Sequence, residues 1–207
     1  MKSDRNPSRL IYLFRHGETE WSRGGWHTGR SDTRLTARGR EQALALAPVF
    51  RTAKLESILC SPRRCATDTA EIADLHDQFD LCEDLSEWHY GNYEGRTTEQ
   101  IRRTVPDWTI WTHPCPNGET IAQVAARADS VIGRLARLGG DCAVISHAHL
   151  LRVLAARWLG EPPEFGRHFL LDTGSVSLLG FERSQRAVKR WNVLPSSVKT
   201  GPIRLPP

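Results

Sequence analysis

Three times along the chain a short apolar, partly β-branched run breaks off at a polar cluster and gives way to residues spaced for one face of a helix. The runs are 8–14 (SRLIYLF), 56–60 (ESILC) and 141–146 (DCAVIS). Each is too short for a buried helix and is bounded by polar or turn-forming residues, the pattern of a buried strand. Helical segments follow from the cap at Thr36 to near Phe50, where Pro48 predicts an early stop or kink, and over 63–75, where Ser61-Pro62 reads as a capping serine with proline at the first helical position. Further helices are predicted over 120–138, with Val124, Ala128, Val131, Ile132 and Leu135 on one face before Gly139-Gly140, and over 149–159. Parallel strands need such crossovers, so the chain is predicted to be an α/β three-layer sandwich with a mostly parallel central sheet. Residues 175–181 and 187–193 read as a closing hairpin through Arg183-Ser184-Gln185.

In open sheets of this kind the functional site lies outside the carboxyl ends of the strands. Three polar clusters stand there: Arg15-His16-Gly17, Ser61-Pro62-Arg63-Arg64 and Ser146-His147-Ala148-His149. Histidines and arginines together suit an anion, with imidazole as nucleophile or acid/base. The spacing His147-x-His149 also invites zinc, but arginines beside it would repel a dication and no HExxH pattern occurs, so neither metal nor cofactor is expected. Singly, each feature has a plainer reading. An RHG triplet is most often a surface turn, His147 a hydrogen-bonded histidine at the edge of the core, and Glu87 a solvated carboxylate. Their joint occurrence at strand ends carries the functional reading.

Composition narrows the partners. With 39% hydrophobic and 25% charged residues in 207, the chain can bury a core and is read as one domain, 1–207, with a core over about 9–194 and a loose Pro-ended tail over 195–207. No run approaches the roughly 20 apolar residues that cross a bilayer, and 1–9 has no apolar stretch behind its charges, so a cytoplasmic location without membrane contact is expected. The five cysteines are odd in number and form no CxxC pair, and they read as reduced thiols. Lys2, Lys54, Lys189 and Lys199 are the only lysines among 28 basic residues. Arginine forks match phosphate, yet they are scattered among acids with no basic block, which points to a small phosphorylated molecule rather than nucleic acid. Oligomeric state leaves no mark in the sequence.

The clusters also carry a family resemblance. Residues 13–19 (LFRHGET) resemble the RHGET signature of the histidine phosphatase, or phosphoglycerate mutase-like, superfamily; 61–70 (SPRRCATDTA) resemble its SPxxRAxxTA segment; 85–95 (LSEWHYGNYEG) its acid-residue loop; and 144–147 (VISH) its second histidine. The segments occur in the family's order from about 10 to 180 and look most like broad-specificity acid phosphatases and sedoheptulose-bisphosphatase-like members. Mutases of the family carry a longer basic insertion after the acid-residue loop; here about twenty residues separate Gly95 from Pro116.

The resemblance implies hydrolysis of phosphomonoesters, such as small phosphosugars, through a phosphohistidine on His16. Glu87 would be the general acid and base, its pKa raised for that role, with Arg15 and His147 stabilising the transferred group. Arg63, Arg64, Ser22, Thr28, Gly29 and Ala148 would contact substrate, Thr28 and Gly29 through hydroxyl and backbone N–H. Ser22 stands where many members have asparagine. Cys65 falls where the family has its second phosphate-binding arginine, and because Arg63 and Arg64 point about 100° apart on a helix, one of them, Arg63 first, is expected to face the site. Two other readings follow: a phosphoglycerate mutase, and a weakly active phospho-ligand-binding protein in which Cys65 marks a weakened site. Trp26 and Trp108 lie in segments that could roof the pocket, and Arg30 could meet a second phosphate. His27, His89, His113 and His149 read as structural or surface residues, with His27 able to reach substrate.

Overall fold

The computed structural model describes residues 9–195. Six strands form one sheet: β1 (Ile11–Arg15), β2 (Leu55–Cys60), β3 (Asp80–Leu81), β4 (Asp141–Ser146), β5 (Val176–Glu182) and β6 (Gln185–Val193), in the order β3-β2-β4-β1-β5-β6. The first four in that order are parallel, and β5 and β6 close the other edge antiparallel. Among the described residues there are six α-helices: α1 (Glu20–Gly24), α2 (Ala37–Thr52), α3 (Arg64–Ile72), α4 (Thr98–Arg102), α5 (Ile121–Ala136) and α6 (Ala148–Leu159). Side chains of β1 divide between two cores. Ile11 and Leu13 pack with Val124, Leu135 and Leu150 of α5 and α6, whereas Phe14 packs with Leu46 and Phe50 of α2 and with Ala66 and Ala70 of α3. This is the expected sandwich, and each fully buried leucine contributes about 1.5–3 kcal/mol to it.

Local chemistry explains the element ends. Thr120 begins α5 with a capping box: its hydroxyl accepts Gln123 N–H while Gln123 Oε1 accepts Thr120 N–H at 2.8 Å. Gly160, with φ of 85°, ends α6 in the left-handed region. Pro48 does not stop α2, which continues to Thr52. Both Pro48 and Leu44, whose carbonyl loses its i+4 donor, lie on the exposed side, where water can solvate that carbonyl. The start expected for α3 is also corrected. Arg63, not Ser61, is the N-cap residue, without a side-chain cap of its own, and Asp32 from a distant loop takes the N–H of Arg64 at 2.7 Å. The helices α1 and α4 and the two-residue β3 were too short to give a periodic signal. The hairpin turns through Arg183 and Ser184, one residue tighter than expected, with Arg183 at φ 54°. The expected tail lies outside the described residues from 196 onward. Among the described residues no helix is long and apolar enough to cross a membrane.

The order of strands sets the site. Strands β2, β4 and β1 are neighbours, with Cys60 paired to Ile145 and Arg15 to Ser146 at their carboxyl ends. The ladder runs one step further: His16 N–H donates to Ser146 O at 3.0 Å and Ser61 N–H to Ile145 O at 2.9 Å. Three clusters far apart in sequence thus leave the sheet side by side.

Candidate active site

At this junction a cleft of about 170 Å³ opens, with Arg15, His16, Arg63, Cys65, Glu87 and His147 among the residues that line it. The imidazole of His16, 7% exposed, brings Nδ1 to 2.7 Å from Gly17 O. A carbonyl can only accept, so Nδ1 carries the hydrogen and Nε2 keeps its lone pair. Burial, then the charge of Arg15, lowers the His16 pKa to about 3, although the Gly17 bond opposes this. The ring is therefore neutral, as a nucleophile must be. Its backbone is pinned where Gly17 N–H donates to Thr69 Oγ1 at 3.0 Å, and Gly17 has no room for a side chain because a Cβ there would lie 2.2 Å from Gly39 O.

His147 faces His16 with ring centroids 5.0 Å apart. Its Nε2 lies 2.7 Å from Ser61 Oγ, and burial together with the surrounding positive charges holds it well below the ordinary histidine range. Arg15 is anchored by a bond from Nη1 to Leu171 O, and burial lowers its pKa. The Nε atoms of Arg15 and Arg63 are buried without a hydrogen-bond partner. Among the described residues the ion pair of Arg63 is a 3.9 Å contact with exposed Glu83, which leaves its fork available to an anion.

The acid-residue loop is held from both sides. Ser146 Oγ donates to Leu85 O at 2.6 Å, and Arg127 of α5, paired with Glu119, donates to the carbonyls of Asp84 and Ser86 at 2.7 and 2.8 Å. Glu87 then accepts three backbone N–H groups, from Trp88, His149 and Leu150. Burial pushes its pKa up, against the pull of those donors and of Arg15. A carboxyl so placed can hold a proton above the usual carboxylate range.

Nine of the ten residues anticipated for the site line this cleft, and Arg64 does not. It is the first residue of α3, and its guanidinium turns outward to Asp68 at 3.6 Å, four residues along the helix. Three others line the cleft with their polar groups already engaged. Ser22 and Thr19 form the capping box of α1, Thr28 Oγ1 donates to Trp26 O, and Gly29 N–H, expected to meet substrate, donates instead to Glu94. Ala148 sits at the start of α6, whose positive dipole end faces the cleft.

A model of the histidine phosphatase superfamily (branch 1) matches residues 11–194. The chain belongs to that superfamily. An acid phosphatase of Mycobacterium tuberculosis is 42% identical over 180 residues, spanning 85% of this chain and 88% of that protein. A sedoheptulose 1,7-bisphosphatase of Saccharomyces cerevisiae is 34% identical over 180 residues, spanning 72% of this chain and 66% of the yeast protein. A solved structure of a Mycobacterium tuberculosis open reading frame product superposes with a TM-score of 0.86 at 39% identity, covering 91% of this chain and 99% of the other. The protein is accordingly a hydrolase of the histidine phosphatase family.

In this phosphatase Tyr90 and Glu94, which carried no signal of their own in the sequence, also shape the cleft. The Tyr90 hydroxyl, kept protonated by burial, lies 2.7 Å from His149 Nδ1, and His149 is a half-buried neutral ring on the cleft wall, the structural one of its two expected readings. Among the described residues His149 is not part of the cluster of His and Cys ligand atoms that contains His147. Glu94 gathers the N–H groups of Gly29, Arg30 and Ser31 within 2.9–3.1 Å and fixes the loop of the cleft rim. Trp26, 41% exposed, stands on the cleft wall, whereas Trp108 is buried against His27 and Tyr93. Arg30 is exposed and outside this cleft. Only the run of glycines and tryptophans from Trp21 to Gly29 hinted at these loop roles.

Proposed function

We propose that the phosphatase cleaves small phosphomonoesters, phosphosugars or similar metabolites, through a covalent phosphohistidine on His16. Nε2 of His16 attacks phosphorus, the bond to the ester oxygen breaks, and that oxygen takes the proton of Glu87. The Glu87 carboxylate then accepts a proton from water as the water oxygen attacks, the P–N bond breaks, and inorganic phosphate leaves. Arg15, Arg63 and His147 stabilise the equatorial oxygens, whose charge they meet without reorganisation. No step needs a metal or cofactor. The observation that carries this reading is the Nδ1 bond of His16 to Gly17 O, which aims a neutral Nε2 into a cleft rich in guanidinium.

Cys65 favours a second reading, a site of reduced turnover, because a thiol cannot supply a guanidinium fork. On that reading Cys65→Arg raises turnover. The test is phosphate release from aryl, glycerate and sugar phosphates with EDTA present, with rapid quenching to trap acid-labile phosphoprotein. Turnover that His16→Ala abolishes together with the trapped label supports the mechanism, and retained turnover in that variant overturns it. Transfer between glycerate hydroxyls without phosphate release would mark a mutase. The reading takes the protein to be a single-domain cytoplasmic enzyme acting on a small molecule.

A further inference from the structure

Cys65 puts a soft donor beside two histidines. His16, Cys65 and His147 each offer one ligand atom, all within 4.8 Å of one another, and all three residues are buried. Among the described residues no other three His, Cys, Asp or Glu side chains converge in this way. Cys65 Sγ is 3.9 Å from His147 Nδ1. Tetrahedral zinc, with Zn–S about 2.3 Å and Zn–N about 2.0–2.1 Å, sets its donors roughly 3.3–3.6 Å apart. Small side-chain rotations close that gap.

The far edge of each ring is already fixed as it is in metal-bound histidines. His16 gives its Nδ1 hydrogen to Gly17 O, and His147 Nε2 meets Ser61 Oγ at 2.7 Å. The lone pair of His16 and the Nδ1 edge of His147 are what remain for an ion. An arginine at position 65 would have excluded any cation. Arg15 and Arg63 still oppose a dication, but the thiol proton leaves to solvent when the ion binds, and the resulting thiolate offsets one positive charge.

We propose that His16, Cys65 and His147 form an inhibitory site for a thiophilic d10 cation, with zinc as its type, which occupies the ring nitrogen of His16. A fourth position stays open to water or an anion, as in three-ligand zinc sites. The inhibition rests on the role proposed above for His16, whereas binding does not.

Cobalt(II) alone is the direct probe on the full chain. A thiolate-to-cobalt charge-transfer band that saturates at one equivalent, is displaced by zinc and is absent in Cys65→Ala is the expected result. In phosphate-release assays zinc should inhibit the native chain, at least about tenfold more zinc should be needed for Cys65→Ala, and magnesium should inhibit neither. A band that persists in Cys65→Ala, or equal zinc sensitivity of the two proteins, overturns the proposal. Cys65→Ser, which keeps the size but not the softness of the donor, replaces the alanine variant if that fails to fold. If the chain releases no phosphate, the cobalt band still decides the site.

Discussion

Glu87 Oε1 accepts the backbone N–H of Leu150 at 2.9 Å, in the first turn of α6. His147 is the N-cap residue of that helix and has no side-chain cap bond of its own, so the carboxylate from the acid-residue loop does the capping. The proposed acid is therefore tied to the helix that begins at the second histidine. A shift of either moves the other.

Glu87→Gln tests both sides of this arrangement. The amide keeps one acceptor but turns an NH2 toward backbone donors, so stability should fall by about 1–3 kcal/mol. Loss of the acid should slow alkyl phosphates by about 10²–10⁴-fold and leave aryl phosphates, which need little protonation, far less affected. Measured kcat/KM on both substrate types checks this, and equal slowing would assign Glu87 another role.

Stability should fall in mild acid. His16 and His27 are held at about 3 and about 4 against 6.5 unfolded, chiefly by burial, and His147 and His149 lie well below it. The unfolded chain binds more protons across that interval, so their contribution is complete above 6.5 and is lost as pH falls toward the folded values. Glu87, raised by burial, works in the opposite sense: its contribution is present at low pH and fades as pH rises through its folded pKa. Four histidines outweigh one carboxyl. Urea unfolding at about pH 8 and about pH 5 should give a clearly lower midpoint in acid, and equal midpoints would contradict the burial of these rings as neutral groups.

Gly17→Ala would set a Cβ 2.2 Å from the backbone carbonyl oxygen of Gly39, which cannot turn aside as a flexible side chain could. Relief requires β1 and α2 to part next to His16. A loss of about 1–3 kcal/mol with a fall in kcat is expected, read by urea unfolding and steady-state kinetics.

Asp32→Ala removes the acceptor for Arg64 N–H at the start of α3. The cost should be about 0.5–2 kcal/mol. Because that turn carries Arg63 and Cys65 into the cleft, KM for phosphomonoesters should rise more than kcat falls.

Much of the molecule could be read directly from residue order. The short apolar runs in β1, β2 and β4 and the capped, amphipathic 120–138 segment point to the sandwich, because a strand buried on both faces and a helix buried on one each leave a recognisable trace in residue order. His16, Glu87 and His147 stood out as well, since each lies in a dense motif. The misjudged residues share a different cause. Ser61 reads locally as a cap, yet its hydroxyl faces His147, and the cap comes from Asp32 about thirty residues earlier. Arg64 and Gly29 match a motif, but Arg64 pairs with Asp68 along the helix and the Gly29 N–H is held by Glu94. Arg127 carries no motif, and its grip on the acid-residue loop comes from the packing of α5.

By itself the sequence determined the layers, the order of the clusters and the candidate reactive groups, because hydrophobic patterning and side-chain chemistry are local properties. Only the tertiary structure decided that β2, β4 and β1 lie side by side, that Arg63 faces the cleft while Arg64 does not, and that Cys65 meets both histidines. Those facts depend on hydrogen bonds and burial between segments 30 to more than 100 residues apart, where direction in space, not position in the chain, sets which groups meet.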